Sequence, residues 1–427
     1  MEIVLEIILI VLVCVLLLSV LVLASVLLWM HYKKKRRNRG RAVVDMADIS
    51  TRRDTAATPR PYVATNTNGN KAYTNTKQQP PKHRRIKLED FANRIRQLEE
   101  DNNFMFDKEF EHLNNITADL RMGTVRLSMT IVSDENWSKN RFVDIIPAEE
   151  NRVRLQAPAR SDYINASFIN GYNNRARTYI AAQGPIGENE NRMGSRMATT
   201  DDFWLMIWQQ RVTRVVMLTK CVERAKIKCA QYWPSDAGVP VAYGPVTVTL
   251  INEGPENADY TCRHMTLEKD GELRRLCQWH ATNWDDYKRA EAESLLQLVH
   301  AVRAATPTDT NEPTLIHCSA GVGRAGTFIA LDILDQRLTD PAGCKEIDVF
   351  HCVYTLRKQR VRMVQTLEQY MMLYECVNLA IRRHSLPDIA HEAVGSAHAV
   401  TTVAVGDVNE QFHNVTLASD SEDSTHI

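Results

Sequence analysis

The sequence predicts an α/β domain preceded by one transmembrane helix, and three observations support this fold class. Residues 314–316 form a short apolar run typical of a buried strand, and the apolar positions from Gly326 onward are typical of a helix. Alternating segments at 161–172 and 179–185 predict two strands joined by a turn. Residues 7–30 form an almost unbroken apolar run, long enough to cross a bilayer core of roughly 30 Å as a helix.

Composition narrows the class of protein further. A chain of 427 residues has room for one large domain of roughly 300 residues plus appendages. Its 52 basic and 52 acidic side chains give no net charge, so nothing indicates a nucleic-acid partner. Nine cysteines without CxxC spacing favour reduced thiols in the cytosol over a disulfide framework. Zinc and iron–sulfur spacings are absent from the sequence, and no metal or other cofactor is expected for catalysis.

The amino-terminal segments predict a single-pass anchor. Glu2 and Glu6 precede the apolar run, whereas the basic segment 33–39 follows it, which argues against a cleaved signal peptide. The positive-inside rule therefore predicts a short extracellular segment at 1–6, a transmembrane helix at 7–30 and a cytoplasmic remainder. The expected location is the plasma membrane.

Two segments outside the predicted domain are poor in large apolar residues. Residues 31–84 begin with basic side chains and continue rich in Thr, Asn, Pro and Gln, which predicts a disordered juxtamembrane tether. Residues 386–427 end in an acidic, serine-rich stretch and are also predicted to be disordered. The ending Thr425-x-Ile427 has the form of a carboxyl-terminal ligand for PDZ domains, although chance matches to this form are common.

Several elements of the domain can be predicted from periodicity. Leu88, Phe91, Ile95 and Leu98 recur at helical spacing and predict a helix packed on the domain. The other predicted elements are a polar surface insertion between 185 and 203, an apolar helix at 202–208, a buried strand at 214–219, and helices from 294 and over 370–383. For the charged segment 223–234, a bare hairpin and a segment whose Lys228 reaches a functional site are both open.

The segment 318–324 carries the chemistry. Cys318 and Arg324 bracket five small residues between the predicted strand and helix, and Gly321 and Gly323 allow successive backbone N–H groups to converge on one point. Such a loop at a helix N-terminus binds anions. The helix dipole, the N–H donors and Arg324 all favour the thiolate, so Cys318 is expected to be a nucleophile. The same donors could hold the oxygens of a phosphoryl group.

Residues 317–324, His-Cys-Ser-Ala-Gly-Val-Gly-Arg, resemble the signature loop of the protein tyrosine phosphatases, and the resemblance extends over roughly residues 85–385. It implies one catalytic domain of the receptor type, with a twisted mixed β-sheet flanked by helices. The resemblance also implies a set of catalytic residues: Cys318 as nucleophile, Arg324 for the phosphate, Asp286 as acid and base, and Gln365 to position water. The residues implied to bind substrate are Ser319, Ala320, Gly321, Val322, Gly323, Phe142, Asp144, Gln369 and Lys228.

The chain departs from the family pattern at two functional positions. Asp285 stands where the family's acid loop has proline, directly before Asp286, which puts closure of that loop in doubt. Ala325 follows the arginine where the family usually has a hydroxyl that donates to the thiolate. Its loss is expected to slow hydrolysis of the phosphoenzyme, with a cost on the order of 1–3 kcal/mol.

The sequence therefore predicts hydrolysis of phosphotyrosine in proteins through a cysteinyl phosphate, countering tyrosine kinases at a membrane. The alternative from another class is a pseudophosphatase that binds phosphotyrosine or traps substrates with little turnover. A dual-specificity or lipid phosphatase is a third reading, which the Asn140-Arg141-Phe142 loop and the full-length domain disfavour.

Overall fold

The computed structural model describes residues 82–118, 133–190, 196–255, 259–284, 291–305 and 311–384. The chain divides into two units, Met1–Gln78 and Gln79–Ile427, and the described residues belong to the second. Four predicted features lie outside the described residues: the transmembrane helix, most of the tether, the Asp285–Asp286 segment and the acidic tail. Within the described ranges, no helix is long and apolar enough to span a membrane.

The described strands, in chain order, are β1 (Ile86–Lys87), β2 (Arg152–Arg154), β3 (Tyr163–Ile169), β4 (Tyr179–Ala182), β5 (Arg214–Met217), β6 (Val222–Glu223), β7 (Lys226–Ile227), β8 (Pro240–Tyr243), β9 (Val246–Pro255), β10 (Tyr260–Lys269), β11 (Glu272–Ala281), β12 (Thr314–His317) and β13 (Glu346–Ile347). Nine of them form one sheet in the order β2-β3-β4-β12-β5-β11-β10-β9-β8. The neighbours β4, β12, β5 and β11 run parallel, and the flanking pairs are antiparallel. This arrangement confirms the predicted mixed sheet.

The described α-helices, in chain order, are α1 (Phe91–Ile116), α2 (Asp134–Ser138), α3 (Thr200–Gln209), α4 (Ala292–Ala304), α5 (Arg324–Leu338), α6 (Val349–Gln359) and α7 (Leu367–His384). They cover both faces of the sheet. Side chains of α1, α4, α5, α6 and α7 form one apolar core, and those of α3 contribute to the other. Along β5, Val216 points into the first core while Val215 and Met217 point into the second, as the two-residue period of a strand requires.

The predicted lead-in helix is present as the first part of α1. Phe91, Ile95 and Leu98 are buried against the domain, as their spacing indicated. The helix is broken at 100–103, where Asp101, Asn102 and Asn103 all have positive φ. Its second part then buries further apolar side chains on α7, including Phe106 edge-on to Tyr374.

The segment after Pro185 lies only partly at the surface: Glu188 and Asn189 are exposed, as the predicted insertion requires, but Glu190 is not. A 3₁₀ turn at Glu188–Glu190 places Glu190 inside the domain, where its carboxylate pairs with Arg141 at 2.6 Å. Both side chains are almost fully buried. A buried charge requires a charged partner, and polarity alone therefore gave the wrong location for Glu190.

Candidate active site

Cys318 lies at the edge of the sheet where the parallel strands end. Strand β12 lies between β4 and β5, parallel to both, and ends at His317. Helix α5 begins at Arg324, so residues 318–323 form the turn between strand and helix. Ligands of parallel α/β sheets bind at this edge, where strands end and helices begin.

Gly321 determines the course of the loop. Its φ is +71°, and a Cβ at this position would lie 2.1 Å from the carbonyl oxygen of Ala182 on β4. Only glycine fits such a contact in the left-handed region. The Gly321 N–H donates to Cys318 Sγ over 3.3 Å, so the backbone already points at the sulfur. Cys318 itself is only 4% exposed.

Arg360 holds the loop from the opposite side. Its guanidinium donates to the carbonyl oxygens of Gly321 at 2.9 Å and Ala320 at 3.1 Å, and also to Asn165 and Ser167. Since the N–H and C=O of a trans peptide point in opposite directions, the bond from Arg360 to the Ala320 carbonyl favours a Gly321 N–H that points at the sulfur. Burial lowers the pKa of Arg360 to about 10, which still leaves it charged at neutral pH.

Arg324 is fixed in place before any substrate binds. Its two terminal nitrogens contact the Glu223 carboxylate at 2.6 and 3.2 Å, a bidentate pair buried on both sides. The Trp284 carbonyl and Thr219 Oγ1 accept further bonds at 2.8 and 3.2 Å. Glu223 lies in the hairpin of β6 and β7. The segment 223–234 therefore begins within a hairpin, and that hairpin carries the counter-ion of Arg324.

His317 is a buried histidine whose ring contacts the backbone of Cys318. Its Nδ1 lies 3.3 Å from the Cys318 carbonyl oxygen, which can only accept, so Nδ1 carries the proton. Nε2 then accepts from the Tyr232 hydroxyl at 2.8 Å, and Tyr232 in turn accepts from Gln278. Complete burial lowers the pKa of His317 to about 3, so it is neutral at physiological pH.

Gln365 and Gln369 lie against the loop at Gly323. A Cβ on Gly323 would come within 2.9 Å of Gln369 Nε2 and 3.3 Å of Gln365 Oε1. Gln369 Oε1 accepts from the Gln365 N–H at 2.9 Å, which links the two glutamines. The Val364 N–H donates to the Val322 carbonyl at 3.0 Å and joins this segment to the loop.

The segment that contains Phe142 is tied to the loop through Arg141. The Arg141 side chain donates to the carbonyls of Gly184 and Pro185, and the Gly184 N–H donates to the Ser319 carbonyl at 3.0 Å. Phe142 is 39% exposed, so its ring is available for contact from outside.

Asp144 is paired within the chain. Its carboxylate lies 2.7 Å from Arg362, three residues before Gln365. Arg362 has a φ of +61°, an uncommon conformation for a residue with a side chain. The pair connects the Phe142 segment with the glutamine segment.

Lys228 contacts the loop through its backbone. Its carbonyl oxygen accepts from Ser319 Oγ at 2.9 Å, while its N–H donates to Cys221. Asp285 and Asp286 lie outside the described residues, although Trp284, directly before them, is bound to Arg324.

Sequence reasoning did not identify Glu223 or Arg360 as site residues. Both contact the loop from positions distant in sequence, Glu223 by 101 residues from Arg324 and Arg360 by 39 from Gly321. The only sequence signal for Glu223 was that it begins the charged segment 223–234, which also contains Lys228.

Comparison with known proteins identifies the family to which this chain belongs. The profile of the protein-tyrosine phosphatase family matches residues 136–379, more than half of the chain. This chain belongs to the protein-tyrosine phosphatase family. Within that family it is 38% identical over 311 residues to the receptor-type tyrosine-protein phosphatase eta of Gallus gallus and 35% identical over 308 residues to that of Homo sapiens. It is also 37% identical over 298 residues to the phosphatidylinositol phosphatase PTPRQ of Homo sapiens.

These matches cover about 70% of this chain but a small part of each relative. The chain spans 20% and 21% of the two eta proteins and 12% of the human phosphatidylinositol phosphatase. Family membership therefore applies to the domain around Cys318.

Proposed function

We propose that this chain hydrolyses phosphotyrosine in proteins through a phosphoenzyme on Cys318. The observation that carries this proposal is the preformed loop, in which the Gly321 N–H points at Cys318 Sγ and Glu223 fixes Arg324 by a bidentate pair. Preorganised donors of this kind stabilise the charge that develops on a transferring phosphoryl group.

In the first step the loop N–H groups and Arg324 bind the phosphate oxygens, and the Cys318 thiolate attacks phosphorus. The S–P bond forms as the bond from phosphorus to the tyrosine oxygen breaks. Asp286 gives its proton to the departing oxygen, so phenol and not phenolate leaves. Trp284, two residues before Asp286, is bound to Arg324, which supports this assignment.

In the second step water attacks the cysteinyl phosphate. Gln365 orients the water, Asp286 accepts its proton, and the thiolate leaves as inorganic phosphate forms. The contact of Gln365 with the Gly323 position and its support by Gln369 favour this role. No step requires a metal, because the loop amides and Arg324 neutralise the phosphate.

Recognition of the substrate is assigned to Phe142 and Asp144. The exposed Phe142 ring offers an apolar face to the phosphophenyl group. Asp144 accepts from the substrate main chain, and its Arg362 partner must then share or release the carboxylate. Gly184 links the Phe142 segment to Ser319 and so sets its height above the loop.

The substrate class can be tested with the full-length chain purified in detergent. We expect release of phosphate from phosphotyrosine peptides, with kcat/KM lowered at least about 1,000-fold by Cys318→Ser, since the nucleophile is lost. Cys344→Ser serves as the matched control and should retain activity. Preferential hydrolysis of a phosphoserine peptide or of a phosphoinositide would contradict the proposal.

We also propose that residues 7–30 anchor the chain in a membrane, with the catalytic domain on the cytoplasmic side. The apolar run and the basic segment after it support this proposal, as do the receptor-type relatives. Deletion of 7–30 should release the protein from a carbonate-washed membrane fraction. Retention of the deleted chain in that fraction would argue against the anchor.

A further inference from the structure

The backbone that leads into Gln365 is strained. Arg362 has a φ of +61° and Val364 a φ of +55°. For a β-branched residue such as Val364 this left-handed conformation is an outlier, because its Cβ crowds the following carbonyl. Strained backbone of this kind persists only where surrounding groups hold it. The position of Gln365 therefore depends on the groups that hold Val364.

One buried arginine holds the two carbonyls at the strained residue. Arg357 on α6 donates from Nε to the Met363 carbonyl at 3.0 Å and from Nη2 to the Val364 carbonyl at 2.9 Å. Its planar guanidinium presents these donors in a fixed fork, so the two peptides are oriented together. The Val364 carbonyl belongs to the same peptide as the Gln365 N–H. A displacement of Arg357 would therefore turn the peptide that enters Gln365.

The end of α1 holds the remaining nitrogen of Arg357. Nη1 donates to Asn114 Oδ1 at 2.9 Å and to Thr117 Oγ1 at 3.2 Å. Phe110, one turn earlier on α1, has its ring centroid 5.2 Å from Arg357 Cζ, within the range of a cation–π contact. Since Arg357 is only 2% exposed, water cannot replace these partners freely. The end of the lead-in helix therefore sets the position of the Arg357 guanidinium.

A second contact joins α1 to the other end of the glutamine segment. Glu109 Oε1 accepts from the hydroxyls of Tyr370 and Tyr374 on α7, both at 2.6 Å, and Glu109 is only 4% exposed. Tyr370 directly follows Gln369, whose Oε1 accepts from the Gln365 N–H. The second part of α1 therefore braces the glutamine segment on both sides of Gln365.

We propose that α1 sets the position of Gln365 through Arg357, so that Asn114, Thr117 and Arg357 are positioning residues for the second chemical step. This inference rests on the proposed function, in which Gln365 orients the water that attacks the cysteinyl phosphate. Formation of the phosphoenzyme does not use that water. Loss of the contacts between α1 and Arg357 should therefore slow hydrolysis of the phosphoenzyme far more than its formation.

The test compares two double variants of the full-length chain. Asn114→Ala with Thr117→Val removes both acceptors of Arg357 Nη1, whereas Asn114→Asp with Thr117→Ser keeps an acceptor oxygen at each position. Rapid mixing with a chromogenic aryl phosphate gives the burst rate for formation of the phosphoenzyme and the steady rate for its hydrolysis. The first double variant should lower the steady rate at least about fivefold and the burst rate less than about twofold. The second should keep both rates within about twofold of the unaltered chain.

A milder variant covers the case in which the first double variant fails to fold. Asn114→Ala alone removes one acceptor from a half-buried residue and should slow hydrolysis at least about twofold. Asn115→Ala, at an exposed position of the same helix, is the control and should leave both rates unchanged.

Two outcomes would overturn the inference while the proposed function stands. One is unchanged hydrolysis in the double variant, or in Asn114→Ala where the double variant does not fold. The other is equal slowing of the burst and of the steady rate, which would mean that α1 supports only the fold. The absence of a burst in the unaltered chain would instead contradict the proposed function, and this inference with it.

Discussion

At the scale of single residues, the candidate site depends on one position where no side chain fits. Gly321 combines a positive φ with a 2.1 Å approach of any Cβ to the Ala182 carbonyl. The Gly321 N–H can therefore stay on Cys318 Sγ only while residue 321 is glycine. Arg360 then holds the carbonyls of the same peptides on the other side.

Gly321→Ala should lower kcat/KM at least about 100-fold, because displacement of a reacting group by about 1 Å has an effect of this size. Gly271→Ala is the matched control, since Gly271 has a similar φ of +77° but no atom within 4 Å of the added Cβ. The control should lose only about 1–2 kcal/mol of stability from its backbone conformation. Equal activity of the two variants would show that the close approach is unimportant.

Ala325 is the second residue expected to determine the rate of turnover. It follows Arg324 and is fully buried, without a hydroxyl for the thiolate that leaves in the second step. Ala325→Ser should raise kcat roughly 5- to 160-fold if dephosphorylation limits turnover, as expected for a regained bond of about 1–3 kcal/mol.

The control for Ala325→Ser is Ala330→Ser, an equally buried alanine on the same helix. Stopped-flow measurements on both variants separate formation of the phosphoenzyme from its hydrolysis. Unchanged hydrolysis in Ala325→Ser, with the fold intact, would exclude the missing hydroxyl as the cause of slow turnover.

At the scale of elements, the β6–β7 hairpin and the start of α5 are joined by one buried ion pair. Glu223 accepts from both terminal nitrogens of Arg324 and also from the Lys220 N–H. The hairpin therefore supports Arg324, the residue proposed to bind the phosphate, as well as the fold.

Glu223→Ala should lower the free energy of unfolding by about 3–5 kcal/mol, because removal of one partner leaves a buried charge unpaired. Inorganic phosphate should restore part of that stability, since the anion pairs with Arg324 in place of the carboxylate. Glu89→Ala, which breaks the exposed pair with Lys87, should change stability by less than about 1 kcal/mol. Urea unfolding with and without phosphate makes the comparison. A loss no larger than that of Glu89→Ala would contradict a supporting role for the pair.

Elements close in sequence were predictable, and contacts between distant elements were not. The loop 318–324 could be identified because its strand, its small residues and its helix are contiguous. Glu190 was placed on the surface from its polar neighbours, yet it is buried against Arg141, 49 residues away. The close approach of the Cys262 and Cys277 sulfurs across β10 and β11 likewise depends on strand register, which spacing alone does not reveal.

At the scale of the whole molecule, buried neutral histidines make the fold sensitive to acid. Burial, together with the nearby charge of Arg263, lowers the pKa of His280 to about 4. The unfolded chain binds a proton at this histidine below pH of about 6.5. Between about pH 6.5 and 4 the unfolded state therefore holds more protons, and stability falls as the pH falls.

His280 should lower the free energy of unfolding by about 2 kcal/mol between pH 7 and pH 5, close to 1.36 kcal/mol per pH unit over the titrating range. His280→Gln should reduce the difference in unfolding free energy between these pH values by that amount. The exposed His112 provides the control in His112→Gln. A pH dependence equal to that of the wild type in His280→Gln would mean that His280 is already charged in the folded state.

The sheet order was also beyond sequence reasoning, although its mixed character followed from the resemblance at 317–324. Strand β12 lies between β4 and β5, and the long meander β8–β11 extends one side of the sheet. This order places the Cys318 loop between segments from β4, from the β6–β7 hairpin and from 360–369. Each of these segments makes a hydrogen bond or a close contact with the loop or with Arg324.

The central claim is that Cys318 carries a phosphoryl group during turnover, and rapid mixing with a chromogenic aryl phosphate tests it most directly. The full-length chain should release close to one equivalent of the aryl alcohol in a burst, followed by slower steady turnover, and its Cys318 peptide should gain one phosphoryl group. Cys318→Ser should show neither burst nor labelled peptide. Steady turnover without a labelled Cys318, or the absence of both burst and turnover in a folded chain that still binds phosphotyrosine peptides, would contradict the account.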